Sequence, residues 1–277
     1  MNEKLLNLPP VAEMMRDAGL EPKKQLGQNF LFDLNLTRKI ARSVPGIQGA
    51  TVVEVGPGPG GLTRALLECG AARVIAIEKD RATGLILKKI SNAADGRLEV
   101  IYGDALKYFK SEEWRVKSAD DLAICSNLPY NIGTELLIQW LHQLHSSLST
   151  LHSMTLMFQR EVADRIVARV GDKQYGRLSV LTALVADAKI LFNIPNTAFF
   201  PAPKVQSAVV QIIPKDKKTI QLSSVEKLTA KLFGQRRKMI RSIMPGVDWS
   251  QFGLTGQERA EELPMEKFVE LARANVL

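Results

Sequence analysis

A β-branched run, Thr51-Val52-Val53-Glu54-Val55, leads straight into Gly56-Pro57-Gly58-Pro59-Gly60-Gly61 and then into a helix-like Leu62-Thr63-Arg64-Ala65-Leu66-Leu67. A strand, a glycine-rich turn and a helix in that order predict an α/β chain with a largely parallel sheet and helices on both faces. Glycines in such a turn let the backbone approach a cofactor closely. The tract satisfies G-x-G-x-x-G at Gly56, Gly58 and Gly61, so a dinucleotide is one candidate ligand. Two features weigh against it. Pro57 and Pro59 remove amide donors from a loop that would have to cradle a pyrophosphate, and Glu54 places an acid two residues before the first glycine. A nucleoside cofactor carrying a sulfonium and an amino group in place of phosphates suits the loop better.

Further strands extend the pattern. Arg73-Val74-Ile75-Ala76-Ile77 ends at Glu78, where an acid can reach ribose hydroxyls, and Leu98 to Tyr102 closes on Gly103-Asp104, where a carboxylate can accept from an adenine amino group. Leu122-Ala123-Ile124-Cys125 is apolar without alternation, as a strand covered on both faces should be, and it runs to Asn127-Leu128-Pro129-Tyr130. Ligand crevices in open α/β sheets lie outside the carboxyl ends of the strands, so Gly56, Glu78, Asp104 and Asn127 make one ordered set. The last of them suits a particular chemistry. An exocyclic amine on a base is a poor nucleophile because its lone pair is conjugated into the ring. Accepting its hydrogens with the Asn127 side-chain oxygen and a nearby backbone carbonyl favours the lone-pair-exposed form. Pro129 stiffens the turn, and Tyr130 can stack on the base. No strong general base is needed once a sulfonium methyl is held in line.

Beyond Asn127, Leu156 to Gln159 reads as a fifth strand, followed by a helix with Glu161, Arg165 and Arg169 on its polar side. Ala186 to Ile194 and Ala208 to Ile213 suggest a terminal pair of strands. Between them, the proline-stiffened Phe199 to Ser207 loop presents Phe199, which can cover a base opposite Tyr130. Residues 1–25 read as a helical arm, residues 26–213 as the α/β body and residues 214–277 as a small all-helical unit, with the charge-rich Pro214 to Thr219 as the boundary.

Charge favours a polyanionic partner and would also suit an anionic membrane surface. The net charge is +8, and between Lys215 and Arg241 nine basic residues meet only Asp216 and Glu226. Arg236, Arg237, Lys238 and Arg241, expected on an otherwise apolar helix, form a candidate phosphate-contacting ridge, with Lys23 and Lys24 in a basic loop that can fold over the crevice. Two cysteines, Cys69 and Cys125, suggest no disulfide framework and fit a reducing cytoplasm. Neither an export signal nor a membrane span is expected. His142, His145 and His152 read as ordinary helix and loop residues, and no metal is expected.

Eight stretches in order resemble one family: Leu26-Gly27-Gln28-Asn29-Phe30-Leu31, Glu54 to Gly60, Gly103-Asp104-Ala105, Asn127 to Ile132, Gln159 to Ala163, Tyr175 to Val180, Phe199 to Ser207, and Phe233 to Lys238. Together they resemble the ribosomal RNA adenine N6,N6-dimethyltransferases, within that family the bacterial 16S rRNA branch, over nearly the whole chain. The resemblance implies a Rossmann-like methyltransferase sheet with a helical C-terminal domain, and S-adenosyl-L-methionine held by Asn29, Leu31, Gly56, Gly58, Glu78, Asp104 and Asn127. It implies that Asn127, Leu128, Pro129, Tyr130 and Phe199 hold the target adenine. It further implies that a monomeric enzyme dimethylates two adjacent adenosines in a hairpin loop near the 3′ end of 16S rRNA, in a maturing 30S particle. The large-subunit rRNA dimethyltransferases, DNA adenine methyltransferases and a ribosome-assembly factor acting by binding are the alternatives.

Overall fold

A computed structural model of the chain describes residues 3–111, 122–145, 150–215 and 222–276. Five strands carry the parallel part of its sheet: β2 (Thr51–Val55), β3 (Arg73–Glu78), β4 (Leu98–Tyr102), β5 (Leu122–Asn127) and β6 (Leu151–Gln159). Two antiparallel strands, β7 (Ala186–Ile194) and β9 (Ser207–Pro214), complete it, giving the order β4-β3-β2-β5-β6-β9-β7. A separate two-residue pair joins β1 (Phe30–Leu31) to β8 (Phe199–Phe200).

Residue alternation sorts the sheet's side chains between two buried clusters. Val53, Val55, Ile75, Ile77 and Ile124 pack with Trp140 and Leu137 of α7 (Gly133–His145), whereas Val52, Val74, Ala76, Ala123 and Cys125 pack with Leu66 of α4 (Gly61–Glu68) and Ile90 of α5 (Gly84–Ala93). Both faces are therefore covered, which is why these strands are apolar throughout. Strand β6 starts five residues earlier than the sequence suggested, at Leu151, and carries His152 into the sheet.

The N-terminal arm is docked. Helices α1 (Glu3–Leu6) and α2 (Val11–Asp17) bury Leu5, Val11, Met14 and Met15 in the cluster formed with α4 and α5. Arg64 on α4 holds the connection between them: its guanidinium donates to the carbonyl oxygens of Leu8 and Pro9 at 3.0 Å and of Leu6 at 3.1 Å, and pairs with Glu68 at 2.8 Å.

The C-terminal helices share the other cluster. Leu228 and Leu232 of α10 (Leu222–Phe233) and Phe268 of α12 (Met265–Arg273) belong to the same buried set as Trp140 and as Leu181 of α9 (Arg177–Val185). Glu226 of α10 bridges Arg177 and His142, and the Tyr175 hydroxyl donates to the Leu263 carbonyl at 3.0 Å. Residues 216–219 of the expected boundary lie outside the described residues, and the division at 213/214 stands as a proposal. One expectation changes. Helix α10 ends at Phe233, so residues 234–237 form a turn and Arg236, Arg237 and Lys238 are not on a helix. Glycine at 234 fits that end, because a Cβ there would lie 2.9 Å from the Ala230 carbonyl oxygen.

Replacing Arg64 by Met leaves three carbonyls without their donor and removes one partner of buried Glu68. Urea unfolding should report a loss of about 3–5 kcal/mol, and residues 3–20 should gain protease sensitivity first; an unchanged unfolding midpoint would contradict the clamp.

Candidate active site

The chain runs outward from β2 through β3 to β4, then returns to the other side of β2 to form β5 and β6. The carboxyl ends of β2 and β5 therefore flank the topological switch point, where such sheets hold ligands. Their paired register runs from Thr51↔Leu122 to Val53↔Ile124. Past it, the buried Ser126 hydroxyl accepts from the Val55 amide at 2.6 Å and lies 3.2 Å from the Val55 carbonyl oxygen, satisfying the backbone where the strands part. A crevice of about 1060 Å³, counting space open to solvent, lies beyond it.

Strand order lays the expected residues out in a row: Asp104 past β4, Glu78 ending β3, Gly56 past β2 and Asn127 ending β5. Glu78 is buried, and its two carboxylate oxygens accept from the amides of Gly58 at 2.9 Å and Asp80 at 2.7 Å. Desolvation still pushes its carboxyl above the ordinary range, against those amide bonds. Asp104 accepts from Lys79 at 2.9 Å and from the Leu106 amide at 3.0 Å, and the Lys79 bond holds its pKa low.

Gly56, Gly58 and Gly60 all have positive φ, but sterics add a second requirement. A Cβ on Gly58 would sit 2.7 Å from the Phe30 ring, and one on Gly61 would sit 2.8 Å from the Leu31 carbonyl oxygen. These glycines make room for the strap of residues 25–31 that forms one wall of the crevice. Glu54 corrects an electrostatic expectation. It is fully buried, accepts from the Thr63 hydroxyl at 2.5 Å, and is pushed by desolvation up to about 8, so at neutral pH it is mostly uncharged. Its charge therefore does not repel phosphate; the missing amides of Pro57 and Pro59 carry that argument alone.

The strap also sets the asparagine. Asn127 donates through Nδ2 to the Asn29 carbonyl at 2.9 Å. A carbonyl can only accept, so this contact fixes which way the amide faces and leaves Oδ1 as its acceptor. Behind it, the Tyr130 hydroxyl is 2.7 Å from Ser207 Oγ, and the Pro129 carbonyl accepts from the amides of Ile132 and Gly133 at the start of α7. At the strap's other end, buried Asp80 accepts from Lys23 at 2.8 Å and from Gln28 at 3.2 Å.

Asn29, Leu31, Gly56, Gly58, Glu78, Asp104, Asn127, Leu128, Pro129 and Tyr130 all line this one crevice. Phe199 does not: it is 5% exposed, pairs with Leu31 across the β1–β8 contact and belongs to the cluster around α4 and α5. The basic candidates divide as well. Lys23 is committed to Asp80, and Arg236 to Glu261 and the Lys173 carbonyl, whereas Arg237, Lys238 and Arg241 are exposed. The Lys24 side chain lies outside the described residues. Sequence reading passed over Ser126, Thr63 and Asp80. The signal for Ser126 and Thr63 was a hydroxyl at a position whose neighbours are apolar.

Residues 19–274 match the model of the family described as ribosomal RNA adenine dimethylase. The chain belongs to that family. It is 49% identical over 271 residues to a ribosomal RNA small subunit methyltransferase A of Chelativorans sp., covering 96% of this chain and 98% of the relative. Its identity to the Agrobacterium fabrum protein of the same name is 48%, at 96% and 97% coverage. Among solved structures, a dimethyladenosine transferase from Plasmodium falciparum superposes with a TM-score of 0.72 at 24% identity, covering 87% of this chain and 95% of that one. The 23S rRNA methyltransferase ErmE gives 0.64 at 23%, covering 88% and 98%. These likenesses establish the Rossmann-like methyltransferase fold. Among the described residues, no helix is long and apolar enough to cross a membrane, and no group of three or more His, Cys, Asp or Glu side chains is placed to hold a metal.

Glu54 gives this family member a pH signature. A folded pKa raised from 4.5 to about 8 means that the contribution of Glu54 to stability is full below 4.5 and is lost as pH rises to about 8. Glu54→Gln should therefore gain on the wild type through that window, by an amount on the order of several kcal/mol in urea midpoints. A difference that stays flat with pH would contradict the assignment.

Proposed function

We propose that this rRNA adenine dimethyltransferase uses S-adenosyl-L-methionine to dimethylate N6 of two adjacent adenosines in a hairpin loop near the 3′ end of 16S rRNA. In this reading it works as a monomer in the cytoplasm, on the 30S particle, and serves small-subunit maturation. One observation carries the chemistry: the Asn29 carbonyl accepts from Asn127 Nδ2, which leaves Oδ1 as the acceptor of a residue that lines the crevice. The near-half identity to two small-subunit enzymes along nearly their whole length supports the choice of subunit.

The crevice suits the cofactor by its donor and acceptor set. Buried Glu78 and half-buried Asp104 offer carboxylate oxygens to hydroxyl and amino groups, while the proline-interrupted turn offers few amides to a phosphate. Asn29, Leu31, Gly56, Gly58, Glu78, Asp104 and Asn127 would hold it. When bound, it supplies an electrophilic methyl group on sulfur.

The chain's own residues do the rest. Asn127 Oδ1 and a neighbouring backbone carbonyl accept the two amine hydrogens, which turns the nitrogen lone pair out of the ring plane and toward the donor. Leu128, buried, and Pro129, braced by two amides of the α7 turn, keep that acceptor pair in place. Tyr130 stacks on one face of the adenine, its ring orientation held by Ser207. Phe199 is assigned to the opposite face, which requires its side chain to leave the cluster around α4 and α5 while Phe200 stays against Phe32. A looped-out adenosine is a suitable substrate, because a base must leave the stack to enter such a pocket.

Arg237, Lys238 and Arg241 are assigned to phosphates, with Lys24 as a further candidate; Lys23 contributes by bracing the strap through Asp80 and Arg236 by bracing the turn through Glu261. Asn127→Ala should abolish transfer to undermethylated 30S particles while particle affinity stays within a few-fold; retained turnover would remove Asn127 from its role. Neutralising Arg237, Lys238 and Arg241 together should flatten the log–log salt dependence of RNA binding by about 0.7–0.9 per lost phosphate contact. An unchanged slope would return these side chains to a solvated surface.

A further inference from the structure

Large apolar side chains left in water deserve a reason, and Phe200 is the only aromatic among those exposed in the described residues, at 52%. It is not on a remote loop. In the β1–β8 pair it stands opposite Phe30, which lines the crevice, and the residue before Phe30 is Asn29, whose carbonyl holds Asn127. The Phe200 ring stacks on Phe32, with centroids 5.7 Å apart and planes 29° from parallel, so the ring that follows the strap supports one side of it and fixes its attitude. The exposed Lys204 and Val205 follow on the same loop, which ends at Ser207 against the Tyr130 hydroxyl. An oriented, half-exposed ring beside a crevice that takes one unstacked base, with a cation on its own loop, has the makings of a stacking platform for single-stranded RNA.

We propose that the Phe32–Phe200 pair is a stacking subsite for the nucleobase adjacent to the adenosine held in the crevice, an inference that rests on the rRNA reading above. Phe200 supplies the face and Phe32 the support. With two neighbouring adenosines as targets, the subsite receives whichever one is not reacting. It binds by stacking and transfers nothing.

The test is steady-state methylation of undermethylated 30S particles with labelled S-adenosylmethionine, comparing wild type with Phe200→Ala, Phe200→Trp and Phe32→Ala. Phe200→Ala should raise KM for the particle about tenfold, the order of a single lost base stack. Cofactor affinity by calorimetry and the melting temperature should stay at wild-type values, and Phe200→Trp should restore KM. Phe32→Ala should raise KM by a smaller factor. A KM within twofold of wild type for Phe200→Ala, a rise that Trp does not repair, or a parallel loss of cofactor affinity would each overturn the subsite. Wild type that methylates rRNA alongside a normal Phe200→Ala sinks this inference alone, whereas wild type that transfers no methyl to any rRNA takes the underlying reading with it.

Discussion

Everything at this site depends on two parallel strands that must separate without leaving their backbones unpaired. Strands β2 and β5 pair only as far as Val53↔Ile124, yet both continue to the crevice, where a buried amide and carbonyl with no partner would cost about 1–3 kcal/mol each. Ser126 resolves the conflict with one hydroxyl placed against both groups of Val55. The strands can then part while the fold stays closed. Gly56 and Asn127 end up on the two sides of a gap, which is what a cofactor and a base approaching each other in line require.

The gap is shaped by the strap as much as by the sheet. Phe30 and Leu31 press on Gly58 and Gly61, Asn29 orients Asn127, and Asp80 gathers Lys23 and Gln28 at the strap's far end. Desolvation raises the Asp80 carboxyl, but the Lys23, Ala82 and Gln28 bonds outweigh it and hold the pKa low, so the anchor is charged at neutral pH. Asp80 also donates its amide to Glu78, so the residue assigned to the cofactor ribose and the segment that orients the asparagine share one support. Lys23, well away from Asn127 in sequence, is thus joined to the same strap that holds the Asn127 amide.

Much of this was legible in the sequence because parallel strands announce themselves as apolar runs and each ends at a conspicuous residue. Gly56, Glu78, Asp104 and Asn127 could be ordered before any contact was known. What sequence could not give was long-range choice between partners. Lys23 and Arg236 looked like free cations, but Asp80 and Glu261, at separations of 57 and 25 residues, claim them. Glu54 looked charged because its burial depends on the helix that covers it. Phe199 and Phe200 are adjacent and alike, and only the antiparallel pairing with β1 decides that the first is buried and the second faces water. The helix drawn through Arg237 failed for a local reason, the glycine that follows Phe233.

The placement of the basic surface follows from how the C-terminal helices are held. A separate module on a linker would leave Arg237, Lys238 and Arg241 free to wander relative to the crevice, and phosphate contacts fix position without reading sequence. Here α10 and α12 bury Leu228, Leu232 and Phe268 in the cluster that also contains Trp140 of α7, the helix that the Asn127 turn begins. Glu226 draws Arg177 and His142 onto the same helix, with both partners holding its carboxyl below the ordinary range against desolvation. The exposed cations are thus held in a fixed relation to Asn127, the acceptor proposed for the amine. Backbone contacts made at one end of the RNA can then decide which nucleotide arrives at the other.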